Sequence, residues 1–82
     1  MLILDNLRLV QTQTGERHTA IYLKIKDGLF PRPVKVGRSS RWPRHVIQAI
    51  VLARIAGKSD EEIELLVDEL HARRTAVAAV AA

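Results

Sequence analysis

Apolar residues recur along this chain first at helical spacing, then in alternation, then at helical spacing again. Leu2, Ile3 and Leu4 make a short apolar start, a strand or an anchor on the core. Leu7, Val10 and Thr14 share one face at helical spacing, with Arg8, Gln11 and Thr12 turned elsewhere. This predicts a short first helix, capped by Asp5 or Asn6 and broken by Gly15. Residues 17–27 predict a second helix, in which Ile21 and Ile25 lie one turn apart and face inward, and Gly28 stops it. Two short helices across a tight glycine turn have the form of a helix-turn-helix, the second being the reading helix.

Pro31 and Pro33 then impose an extended path, because each also restricts the residue before it. Val34 and Val36 alternate with Lys35, a strand pattern, and Ser40 to Trp42 return as its partner after a turn at Gly37 to Ser39. The expected product is a two-stranded hairpin with Arg38 at its tip, Val34 and Val36 on one face and Trp42 closing that face. So small a hairpin must lie on the helices to be stable.

Pro43 suits the first turn of a third helix, and nearly every residue from Val46 to Ala56 is apolar except Gln48 and Arg54. A helix apolar on all sides has to be covered on all sides. Ser59, three residues before Glu62, makes a capping box, and Ile63, Leu66, Val67 and Leu70 form a stripe along the helix that follows. Arg73 and Arg74 sit at the negative end of that helix. The expected fold class is mainly α with a small two-stranded β hairpin. It divides into a winged helix-turn-helix at 1–58, a C-terminal amphipathic helix at 59–74 packing on the domain or a dimer partner, and an Ala-rich tail at 75–82.

With 82 residues, one domain is expected. The net charge of +4 matters less than its distribution. Residues 1–58 hold eleven basic against three acidic residues, a balance of +8, whereas residues 59–82 hold two against six, a balance of −4. A basic body with an acidic C-terminal element points to a polyanion partner for the body alone. The start MLILDN lacks the form of a signal peptide and no apolar run is long enough to span a bilayer, so no membrane role is expected and the cytoplasm is the expected compartment.

Catalytic chemistry finds little to stand on. There is no cysteine, and His18, His45 and His71 lack metal-ligand spacing, so neither metal nor cofactor is expected. Ser39 and Ser40 have no evident base, and Glu61, Glu64 and Asp68 on one helix face read as a solvated surface. The expectation is a protein that is not an enzyme.

Ordered along the chain, Gly15, Ile21-Tyr22, Lys26-Asp27-Gly28, Phe30-Pro31, Pro33-Val34-Lys35, Gly37-Arg38 and Trp42 followed by a helix form a pattern. Over residues 6–55 this resembles the AlpA-type prophage regulators, small relatives of the phage excisionases with a MerR-like winged-helix fold. Departures are visible. The family usually has Ser or Thr where Arg17 stands, a basic residue where Leu23 stands and a buried aliphatic where Gln13 stands. The helix after residue 59 lies beyond the pattern.

The resemblance implies double-stranded DNA as ligand and transcription regulation in a prophage or mobile element, with RNA polymerase as the further partner. An excisionase that bends DNA and steers an integrase is the alternative. An adaptor binding protein through Asp60 to Arg74 is a third reading. The expected contacts follow from general chemistry. Arg17, His18 and Thr19 open the reading helix, where base edges come closest. Tyr22 offers its hydroxyl to a phosphate while its ring packs on the hairpin, and Lys24 is assigned a phosphate. Arg38 at the tip is expected in the minor groove, with Lys35, Ser39 and Arg41 on the flanking backbone. Trp42 is assigned to the core, and Arg8, Arg32 and Arg44 to the solvated surface. A single small module reads few bases, so a homodimer or cooperative binding on DNA is expected.

Overall fold

The computed structural model describes the backbone of residues 2–81 and the side chains of residues 2–74, and in it the first and last helices begin at side-chain caps that the sequence supplies. Helix α1 (Leu7–Thr14) follows strand β1 (Leu4–Asn6), and the Asn6 side chain accepts a hydrogen bond from the Leu9 amide at 3.0 Å. Gly15 closes α1 by donating to the Gln11 carbonyl. Helix α2 (His18–Lys26) ends in a Schellman arrangement: Gly28, at φ +77°, donates to the Ile25 carbonyl and Leu29 donates to the Lys24 carbonyl. A Cβ at Gly28 would be strained by that backbone, and it would meet Glu64 at 3.6 Å as well. Strands β2 (Val34–Val36) and β3 (Ser39–Pro43), helix α3 (Arg44–Ile55) and helix α4 (Asp60–Ala81) complete the order. The capping box opens α4 as expected, with Glu62 donating its amide to the Ser59 hydroxyl and accepting from the Ser59 amide. The backbone helix continues through Ala81, past Arg74. The reading of Ala82 and of the side chains of 75–82 lies outside the described residues.

The hairpin gains a third strand. The antiparallel order is β1-β3-β2, with Asp5 opposite Trp42 and Lys35 opposite Ser40. Paired residues share a face, so one face carries Asp5, Trp42, Ser40 and Lys35. Val34 and Val36 lie on the other face with Leu4, Ser39, Arg41 and Pro43. The expectation that Trp42 closes the valine face is therefore corrected. Trp42 points into the core while Val36 stays 52% exposed. The cause is parity: a two-residue turn puts Val36 opposite Ser39, and Trp42 is an odd number of residues further on.

One core unites the helices and the sheet. Val10, Ile21, Phe30, Trp42, Val46, Ile47 and Ile50 pack with Ile63, Val67 and Leu70 of α4. So α4 closes the same core that positions α2 and β3, and part of the apolar surface of α3 is covered from within the chain. Leu52 and Ile55 of α3 nevertheless remain exposed. No helix among the described residues is long and apolar enough to cross a membrane.

Asp5 does not cap α1. Its carboxylate is 1% exposed and receives both Nε and Nη2 of Arg44 at 2.8 Å, with Nε2 of Gln13 at 2.9 Å. This bidentate pair ties β1 to the starts of α3 and the end of α1. Gln13, which replaces an expected aliphatic, and Arg44, read as solvated, are both explained by it. The Arg44 guanidinium holds the Asp5 carboxyl below the usual carboxylate range, against the opposing effect of burial. A depressed folded-state value means stabilisation that is complete well above the unfolded value of 3.8 and lost as pH falls through the folded value. Asp5→Ala should cost about 2–3 kcal/mol at pH 7, near the low end for a broken buried pair because Arg44 is partly exposed. Urea melts at pH 7 and pH 3 check this: the wild type should lose more stability between them than the alanine variant. Equal losses would remove Asp5 from the account.

Candidate nucleic-acid interface

Helix α2 has nine residues, about 13 Å of rod at 1.5 Å per residue, short enough to lie in one groove. Ile21 is its buried anchor. The opposite face carries Thr19, Tyr22, Leu23 and Lys26, all exposed, at spacings of three and four. Arg17 and His18, also exposed, stand at its start. No side chain caps that end, so the first amides of α2 are open to an anion, which the helix dipole favours.

Tyr22 is placed as expected. Its ring meets Trp42 edge-on, with centroids 6.4 Å apart and planes at 63°, while the residue stays largely exposed. Trp42 is itself fixed by its indole N–H, which donates to the Pro31 carbonyl at 2.9 Å. Helix α2 and the hairpin thus meet through this aromatic contact.

Lys24 is not placed as expected. It turns back toward the α1–α2 turn, pairs with Glu16 and borders a cavity with Phe30, Ile50 and Ile55. Two residues along a helix are about 200° apart, and that difference removes Lys24 from the face of Lys26. Lys26 is the residue that sequence reasoning passed over. The signal was present, because Lys26 follows Tyr22 by four and Thr19 by seven.

In the hairpin, Gly37 at φ +62° and a following residue without positive φ make a type II′ turn. It holds Arg38 exposed at the tip. Lys35 donates to the Ser40 hydroxyl at 2.7 Å across the strands, on the Trp42 face. Ser39 is exposed and Arg41 half-buried on the reverse face. The nine expected contact residues are therefore distributed: Arg17, His18, Thr19 and Tyr22 with the reading helix, Lys35 and Arg38 on one side and tip of the wing, Ser39 and Arg41 on its other side, and Lys24 apart.

Charge pairing divides the molecule more sharply than charge counting. Ion pairs engage Lys24 with Glu16, Arg44 with Asp5, Arg54 with Asp60, Lys58 with Glu62 and Arg73 with Glu69. Among the described residues no acid pairs with Arg17, Lys26, Arg32, Lys35, Arg38 or Arg41. These six uncompensated cations lie between residues 17 and 41, Arg8 and Arg74 stand unpaired elsewhere among the described residues, and both arginines of α3 are compensated. The described residues hold no group of three or more His, Asp and Glu that could bind a metal ion. Comparison with protein-family models, with curated proteins and with solved structures gives no match for the chain.

Proposed function

We propose that the chain is a sequence-specific double-stranded DNA-binding regulator of a prophage or other mobile element, acting in the cytoplasm. The observation that carries this reading is the run of unpaired cations along α2 and the hairpin, beside an exposed helix face whose start is uncapped. An extended surface of uncompensated Arg and Lys releases counterions from a phosphate backbone, and that release drives binding. The AlpA-type pattern supports the same assignment of reading helix and wing.

In this reading Arg17, His18, Thr19 and Tyr22 face base edges and phosphates, Lys26 takes the phosphate role assigned at first to Lys24, and Arg38 enters the minor groove. Fluorescence anisotropy on duplex DNA from the chain's own upstream region tests it. With about five phosphate contacts, log Kd against log salt should have a slope of magnitude about 4–5. Lys26→Ala should lower that magnitude by about 1, and Lys24→Ala should leave it unchanged. Binding that ignores salt would overturn the proposal, and the opposite ranking of the two lysines would overturn the face assignment.

A further inference from the structure

Helix α3 packs on α1, α4 and β3, and one of its sides stays open. The open stripe runs through Gln48, Ala49, Leu52, Ile55 and Ala56 at helical spacing. Leu52 is 65% exposed and Ile55 77%, more than any other large apolar residue described. No Lys, Arg, Asp or Glu stands on this stripe. Arg54, the one such residue between His45 and Ala56, lies about 200° round the helix from Leu52 and pairs with Asp60 at 3.3 Å. The exposed faces of α2 and α4, by contrast, carry Lys26, Glu61 and Asp68. Single exposed leucines are ordinary on a protein surface, but a continuous ion-free apolar strip marks a contact.

The same face holds a ridge and a groove. Ile55 is the ridge. The groove, of about 400 Å³, lies between α1 and α3 and is lined by Gln13, Gln48, Val51 and Leu52. Ridge and groove edge, Ile55 and Gln48, are two helical turns apart, about 10 Å along the axis. Suppose a two-fold axis crosses α3 level with the gap between Val51 and Leu52. Two antiparallel copies of α3 then set Ile55 of each level with Gln48 of the other. Each ridge meets the opposite groove, and both contacts form at once. This is the reciprocal pairing that a closed two-fold interface requires.

Charge selects the occupant. A two-fold axis brings each residue near its own equivalent, so an ionic group beside the axis would face its like. The stripe meets that condition. A polyanion or a charged peptide would find no countercharge on it and would bury polar groups against leucine and isoleucine. From the ridge, the groove and the absence of ions we infer that the outer face of α3 is a self-association surface. On it a second copy of this chain packs antiparallel about an axis near Leu52. A contact built mainly on one three-turn helix is at the small end of protein interfaces, so the association is of micromolar strength. The inference does not rest on DNA binding, and its test uses no DNA.

Sedimentation equilibrium of the full chain should show monomer and dimer exchanging across the micromolar range. Leu52→Glu sets two carboxylates side by side at the axis and should weaken the dimer at least about tenfold, and Leu52→Lys should do the same with two cations. An equimolar mixture of the two variants should dimerise more tightly than either alone, because opposite charges then meet. Leu52 is exposed, so circular dichroism melts of both variants should match the wild type. Should either variant fail to fold, the wild-type equilibrium and Ile55→Ser, expected to weaken the dimer, decide instead. A wild type that stays monomeric throughout that range would overturn the inference and leave the face to a different apolar partner. Variants that dimerise as tightly as the wild type, or a mixture no tighter than its components, would overturn it too.

Discussion

Trp42→Ala should remove about 3–5 kcal/mol of the chain's stability. The indole is fully buried, sits in the central strand of the sheet, and joins the hairpin to α2 through Tyr22 and to the Pro31 segment through its N–H. Truncating a buried tryptophan costs about 3–5 kcal/mol, from lost transfer energy and the cavity left behind. A chain of 82 residues has about 4–12 kcal/mol in total, so the loss takes a large share of it. Trp42→Phe keeps the ring edge but leaves the Pro31 carbonyl without its donor, and should cost about 1–2 kcal/mol. Urea denaturation followed by far-ultraviolet circular dichroism measures both, since the alanine variant removes the only tryptophan fluorophore. If the alanine variant lost less than about 1 kcal/mol, the aromatic contact would not be what holds the hairpin to α2.

Lys35→Ala combined with Arg38→Ala should weaken duplex binding about 10- to 100-fold at physiological salt, and lower the salt slope by about 2. Both side chains are exposed, and neither pairs with an acid. Lys35 loses only a surface bond to Ser40, so stability should move by less than about 0.5 kcal/mol. Measuring anisotropy and thermal melts on the same samples separates lost contacts from lost folding. Unchanged affinity would favour the protein-binding adaptor, in which α4 carries the interaction and the wing does not. Gly37→Val is a useful companion, because a β-branched residue strains the positive φ of the turn and should displace Arg38 without altering any charge.

The local signals were legible because they depend on near neighbours alone. Gly15 and Gly28 each end a helix at the position read from the sequence, and Ser59 with Glu62 forms the capping box. The glycine-bounded helix pair, the proline-marked extended run and the apolar stripe of α4 all fold as their spacing indicates. Even the parity that separates Trp42 from Val34 and Val36 was available, once Gly37 and Arg38 are taken as the whole loop.

What lay outside local reach was every choice made by residues distant in sequence. Strand β1 is three residues long, too short for a period of its own, and exists because β3 has a free edge to pair with. Of the two cap candidates, Asn6 caps α1, while Asp5 is claimed by Arg44, 39 residues on, which nothing nearby in sequence reveals. Lys24 and Lys26 are equivalent in composition; only the orientation of α2, fixed by Ile21 in the core and by Tyr22 on Trp42, turns one toward Glu16 and leaves the other exposed. The sequence alone thus determined the elements, their ends and the asymmetry of charge, since these follow from backbone preference and the order of side chains. The tertiary structure alone decided which cations stay uncompensated and which face of each helix is buried, because ion pairing and burial depend on three-dimensional neighbours, whereas spacing shows only which residues share a face.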